Sequence, residues 1–203
     1  MAERRERKKQ ETRQRISDVA TGLFFERGFE QVTVDEIAVA AKVSKMTVFN
    51  YFSRKEELLL DREDDLTLLP LRQALASRPA GQAPVDALRV LIRQMIEARH
   101  PLLYVNAKAV DWWRVVDASP ALKARLHELA DAAADALAIE LAGSRPVALV
   151  RLAAGVLVLT VRTARAESVR QMRRGVSAKK ANAAQLGLIE HGLAMVEVLL
   201  RSA

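Results

Sequence analysis

The sequence predicts an all-α protein, on three observations. Half of its 203 residues are hydrophobic, with alanine and leucine prominent among them, and only eight glycines and six prolines interrupt the chain. Alternating polar and apolar runs of the kind that form half-buried strands are scarce. Apolar residues recur instead at helical spacing between short breaks, which predicts about nine helices. The apolar content suffices for one large domain, or for a small one beside a larger one. Cysteine is absent, which removes disulfides, thiolate metal sites and thiol nucleophiles and suits a reducing, cytoplasmic setting.

The N-terminus, MAERRERKKQ, is charged and has no apolar stretch, so it does not read as a secretory signal. Residues 1–9 are expected as a basic flexible tail. Residues 1–15 carry seven Arg or Lys against three Glu, net +4, a charge that follows a DNA backbone or is simply solvated. The first helix is expected from about Glu11 to Arg27, with Ile16, Val19, Ala20, Leu23 and Phe24 on one stripe and Gly28 as its stop.

The next stretch, VTVDEIAVAAKVSKMTVFNYFSRKEEL, holds three helix starts in little more than the length of one ordinary helix. Thr33 with Glu36 forms a capping box, Ser44 with Thr47 offers a second start, and Ser53 with Glu56 a second box. Two very short helices follow, Val34 to Ala41 and Lys45 to Phe52, joined by the turn AKVS. Val34, Ile37, Ala38, Val48 and Phe52 are expected to face inward. Helices this short depend on tertiary packing. A plain corner in a bundle satisfies that need, but so does a helix-turn-helix, which uses a short braced helix to enter the major groove of DNA. Residues 10–57 are therefore expected as a three-helix, helix-turn-helix DNA-binding domain.

Residues 58–203 are expected as a second, helical-bundle domain. A longer helix from Arg54 is interrupted near Pro70, and ASRPAGQAP is the clearest loop. Later helices are expected over Val85–Arg99, Leu102–Ala118, Ala121–Ala142, Val147–Arg174 and Ala178–Arg201, separated by Ser119-Pro120, Gly143-Ser144 and Gly175 with Ser177. The run from Val147 to Val161 contains Arg151 and falls short of the roughly 20 apolar residues of a membrane span, so a buried helix and no membrane role are expected.

TVDEIAVAAKVSKMTVFNYFSRKEEL resembles the N-terminal signature of tetracycline-repressor-type (TetR family) regulators, T-x-x-x-I-A-x-x-A-x-V-S-x-x-T-x-[YF]-x-x-F-x-x-K-x-x-L. The likeness extends upstream through RISDVATGLFFERGFEQVT and covers about the first quarter of the chain. It implies a homodimeric, ligand-responsive transcriptional repressor in which residues 58–203 are the ligand-binding and dimerisation domain, and whose palindromic DNA operator is released when a small effector binds there. It also implies base contacts from Ser44, Lys45 and Met46, and base or phosphate contacts from Thr47, Phe49, Asn50 and Tyr51. Thr33 and Lys55 are implied at phosphates. Three residues depart from the pattern: Lys42 stands where a glycine is common in the turn, Phe49 lacks the hydroxyl of the commoner tyrosine, and Asn50 is an unusual side chain there. Asn50 either pairs with adenine or makes no contact.

In the second domain Tyr104, Trp112 and Trp113, with Asp111 close by, are the expected lining of an apolar effector cavity; ordinary packing is the alternative. Residues 161–180 carry seven Arg or Lys against Glu167, net +6. Either these cations favour a helix C-terminus, or Arg165 and Arg170 attract an anionic effector. The segment LPLRQALASRPAGQAPVDALR is weakly similar to the family branch with an acyl-CoA-like ligand domain. The expected effector is therefore an amphipathic anion such as an acyl-CoA-like molecule, with a lipophilic cation held by Asp111 as the alternative. Val150, Ala154, Leu157 and Val161 on one late helix, and Leu186, Ile189, Leu193, Val196 and Leu200 on the other, are the expected dimer interface. Leu188, Met195 and Leu199 mark a second apolar face.

No cofactor, metal site or catalytic residue is expected. Glu97 with His100 has the spacing of one half of a carboxylate-bridged di-iron motif, with no second copy, and His127 with Asp131 is isolated. No nucleophile elbow or phosphate-binding glycine loop occurs. An enzyme is not expected; the competing class is a helical small-molecule sensor or carrier without specific DNA binding.

Overall fold

The computed structural model describes residues 2–61, 63–143 and 145–201, the side chains of residues 2, 3, 63 and 64 aside. Among the described residues the chain is helical throughout, without a strand. In order the elements are α1 (Ala2–Arg27), α2 (Val34–Ala40), α3 (Lys45–Tyr51), a 3-10 turn (Lys55–Leu58), α4 (Glu63–Leu66), α5 (Leu69–Ala76), α6 (Pro84–Glu97), α7 (Ala107–Ala118), α8 (Pro120–Leu141), α9 (Val147–Arg173) and α10 (Ala178–Arg201).

Several boundaries differ from the sequence expectation. Residues 2–9 are the opening turns of α1 rather than a separate tail. No long helix starts at Arg54: the chain makes a 3-10 turn and two short helices there, with Leu68 in the left-handed region at φ 55° immediately before α5. A leucine pays heavily for that conformation in steric terms, so no propensity rule foresees it. Helix α7 begins at Ala107, because residues 102–105 are held outside a helix by side chains of α10. Asn182 accepts from the Val105 amide at 2.8 Å and donates to its carbonyl at 2.8 Å, and Gln185 donates to the Leu103 carbonyl at 2.9 Å.

The chain forms two compact units. The first comprises Met1–Glu63 with Asp111–Arg125, the second Asp64–Val110 with Leu126–Ala203. The division is therefore not a single cut at residue 57, because a segment remote in sequence joins the N-terminal helices. The core of the first unit is built on Ile16, Ala20, Phe24, Val32, Ile37, Val48, Phe52 and Leu58, with Val116 and Leu122 from the remote segment.

In the second unit, α9 and α10 form an antiparallel hairpin around which α5, α6 and α8 pack. The hairpin is closed by Gly175, at φ 86°, in a Schellman turn: the Val176 amide reaches the Gln171 carbonyl and the Gly175 amide that of Met172. Further along, Gly192 lets the helices meet, since a Cβ there would fall 2.1 Å from the Thr160 hydroxyl. Both helices are long and apolar enough to cross a membrane by length and composition alone, yet their apolar stripes serve this core.

That corrects the expected dimer seam. Val150, Ala154, Leu157, Val161, Ile189, Leu193, Val196 and Leu200 belong to the core of the second unit, with Leu186 packed against it. The large apolar residues left outside, among the described residues, are Val147, Leu152 and Leu159 on α9 and Leu188, Met195 and Val198 on α10. Periodicity identifies two apolar faces on such helices but does not say which one the chain keeps for itself.

Candidate nucleic-acid interface

The first unit positions α3 by a series of local devices. Gly28, at φ 83°, ends α1, and the rings of Phe24 and Phe29 then meet at 4.9 Å across the turn. Thr33 caps α2 in the expected box: its hydroxyl accepts from the Glu36 amide, and the Thr33 amide donates to the Glu36 carboxylate at 2.8 Å. These bonds, with Arg27 at 2.7 Å, hold the Glu36 carboxyl down at about 2 from its ordinary 4.5.

The turn from α2 to α3 is a Schellman turn with Lys42 in the position glycine favours, at φ 56°. The Lys42 amide bonds the Val39 carbonyl, and the Val43 amide that of Ala38. Ser44 then caps α3, accepting from the Thr47 amide at 3.0 Å, and the two hydroxyls meet at 2.7 Å. Val48 and Phe52 are buried, Thr47 and Tyr51 are half-buried, and Ser44, Lys45, Met46, Phe49 and Asn50 are exposed. Lys45 reaches back to Asp35 of α2 at 2.8 Å.

Two cations hold this assembly together. Arg13 of α1, which no motif or spacing singles out, donates to the Tyr51 carbonyl at the end of α3, pairs with Asp61, and lies 4.3 Å from the centre of the Phe52 ring. Lys55, expected at a phosphate, turns inward: its ammonium donates to the Phe29 carbonyl and stands 4.3 Å from the Phe29 ring centre. Burial pushes the Lys55 pKa down, against the pull of Glu30, Glu56 and Glu36. Ser53 does not box with Glu56; its amide and hydroxyl both donate to Glu57, at 2.8 and 2.9 Å.

The remote segment is stitched to the same helices. The Ser119 hydroxyl bonds Glu30 at 2.6 Å, Arg125 pairs with Glu57 at 4.0 Å, and the Trp112 indole N–H donates to the Leu59 carbonyl at 3.4 Å. The rings of Trp112 and Trp113 meet edge to face at 4.8 Å. Trp112 and Trp113 thus belong to the first unit, as does Asp111, which is exposed and lies 3.6 Å from Arg114. Tyr104, Arg165 and Arg170 belong to the second unit. The six residues expected around one effector therefore do not form one cluster within either unit. Arg170 is exposed and paired with Glu167 at 2.8 Å, as neighbours one helical turn apart allow. Arg165 is half-buried; loss of water and the nearby Arg162 push its pKa down to about 10, opposed by Asp65.

Residues 16–61 match the family described as bacterial regulatory proteins, tetR family. These residues are thus similar to the N-terminal domain of that family. The chain is 36% identical over 92 residues to the HTH-type transcriptional regulator TcmR of Streptomyces glaucescens, a stretch that covers 45% of this chain and 40% of that one. The chain thus spans less than half the length of the curated relatives it matches. Among solved structures, it is similar to the SmeT–triclosan complex (TM-score 0.60, 20% identity, 91% of this chain and 90% of that one). It is also similar to NalD of Pseudomonas aeruginosa, the secondary repressor of the MexAB-OprM multidrug efflux pump (TM-score 0.58, 18% identity, 90% and 97%). These two likenesses cover nine-tenths of the chain and show its fold.

Proposed function

We propose that this protein is a ligand-responsive, DNA-binding transcriptional repressor of the cytoplasm, without enzymatic activity, whose dimer releases a palindromic operator when a small effector binds. The observation that supports it is α3: a helix of seven residues capped at Ser44, packed by Val48 and Phe52, with Lys45, Met46, Phe49 and Asn50 turned outward. Such a helix contributes little to stability and much to a groove. Ser44, Thr47 and Tyr51 bracket that face, and the exposed Thr33 at the start of α2 contacts the backbone of a docked duplex, whereas Lys55 is turned onto Phe29.

Two copies pair through the outward face of α9 and α10. Leu152, Leu159, Leu188 and Met195 are 52%, 63%, 41% and 61% exposed, and no side chain fills the space over Gly155 or Gly187. A contiguous apolar face of this kind is the mark of an interface. The effector is an anion anchored in the second unit. Arg165 and Arg162 share their surroundings with Asp65, so positive charge exceeds negative there, whereas Asp111, the site suggested for a cation, lies exposed in the other unit.

Selection of bound duplexes from a random pool with the full chain tests this reading. An enriched inverted repeat, occupied by two chains, is the expected result. Binding that depends on salt but not on sequence would sink it.

A further inference from the structure

The outward face of α3 is apolar at its centre. With about 100° between successive residues of a helix, Met46 and Phe49 lie within about 60° of each other, and Lys45 and Asn50 flank them about 40° to either side. Met46 is 70% exposed and Phe49 43%. The fold does not need either outside, since Val48 and Phe52 already supply the helix's share of the core. The nearest strong charge is also answered from within the protein, because the Lys45 ammonium sits 2.8 Å from the Asp35 carboxylate. A recognition helix of this composition offers the groove an apolar ridge with an amide at one edge.

Of the groups that base pairs present in the major groove, only the C5-methyl of thymine is apolar. The side chains of Met46 and Phe49 originate about 4.5 Å apart along the helix axis, little more than one base step of about 3.4 Å. Resting on the DNA-binding reading above, we propose that Met46 and Phe49 recognise the methyl groups of thymines at neighbouring base pairs in each operator half-site, with Asn50 at the edge of this contact on an adenine. The flanking amide suits adenine because its carbonyl and NH2 match the N6 donor and N7 acceptor of that base. The half-site is then read chiefly by shape and methyl groups, and its affinity depends on the thymine methyls rather than only on the pattern of hydrogen-bonding groups.

Deoxyuridine differs from thymidine by that methyl alone, so it isolates the contact. The full chain is used to select a site from a random pool, and each thymidine of the half-site is then replaced singly by deoxyuridine. Affinity should fall about three- to fivefold at each contacted position, the worth of one buried methyl. In Met46→Ala the thymidine-to-deoxyuridine ratio should collapse to one at a single position, and in Phe49→Ala at its neighbour. Both side chains are exposed, and the wild-type ratios decide the matter even if a variant is unstable. An enriched half-site without thymine, or one whose affinity is the same with deoxyuridine at every position, overturns the proposal and leaves sequence-specific binding standing. Wild-type ratios retained at every position in both variants overturn it too. If no sequence is enriched at all, the DNA-binding reading and this one fall together.

Discussion

The ammonium of Lys55 donates to the backbone carbonyl of Phe29 and lies over the ring of the same residue, 4.3 Å from its centre. One side chain thereby ties the turn after α3 to the turn after α1. Lys55→Met keeps the aliphatic stem and removes only the charge, so it should destabilise the first unit by about 1–3 kcal/mol through the lost bond and ring contact. Urea unfolding followed at the first unit checks this. If the remaining ammonium protons also meet a phosphate, the variant should lose affinity for all duplexes alike and its salt slope should fall by about one.

Lys42 occupies the left-handed position of its turn without being a glycine. Relief of that steric cost, reduced by the greater freedom of glycine in the unfolded chain, should make Lys42→Gly more stable by about 0.5–1 kcal/mol. The urea midpoint should rise with an unchanged slope. A fall in the midpoint would show that the lysine side chain contributes more than its backbone costs.

The Glu36 carboxyl is held down by the Thr33 amide first, then by Arg27 and the Thr33 hydroxyl, to about 2 from an ordinary 4.5. Its folded pKa is depressed, so its contribution is complete above the ordinary value and is lost as pH falls from 4.5 through about 2. Glu36→Gln should flatten the acid limb of stability in that window and leave the neutral-to-alkaline limb unchanged. Acid titration of both proteins by circular dichroism distinguishes them.

Leu193 is fully buried in the core of the second unit, whereas Leu159 and Met195 are exposed. Leu193→Glu should therefore unfold the second unit, at a cost of several kcal/mol for a charge in an apolar core. Leu159→Glu with Met195→Glu should leave a folded monomer with weakened operator binding. Light scattering beside a thermal melt separates the outcomes; a folded dimer in the double variant would move the interface elsewhere.

Arg165→Gln should weaken release of the operator by an anionic amphiphile such as lauroyl-CoA, and Asp111→Asn should leave it unchanged. Operator release measured by fluorescence anisotropy checks both. The opposite pattern, with a lipophilic cation as the active ligand, would return the effector to the neighbourhood of Asp111.

The helix-turn-helix was legible because it is written in local chemistry. Thr33 with Glu36, Ser44 with Thr47 and Gly28 act within a few residues of themselves, and each does in the structure what its type and spacing imply. What escaped was long-range. Arg13 meets Tyr51 and Asp61, Ser119 meets Glu30, and Trp112 meets Leu59 across gaps of 38 to 89 residues, and no periodicity encodes such pairings. Gln185 and Asn182 had a faint signal, as amides inside an otherwise apolar stripe, and they prevent the expected start of α7 at Leu102. The late helices failed differently: two apolar faces were visible, but the choice between own core and partner depends on how α5, α6 and α8 crowd around them.

Both tryptophans of the chain lie in the segment that joins the first unit, one of them bonded to the Leu59 carbonyl. Intrinsic emission is therefore an optical reporter placed in the unit that carries α3, not in the unit that holds Arg165. With the effector anchored at Arg165 as proposed, a change in colour or intensity on adding it would register arrival of the signal rather than occupancy of its site. Comparing that optical response with a calorimetric isotherm, which counts occupancy alone, would measure how tightly the two halves of this molecule are geared, without a label.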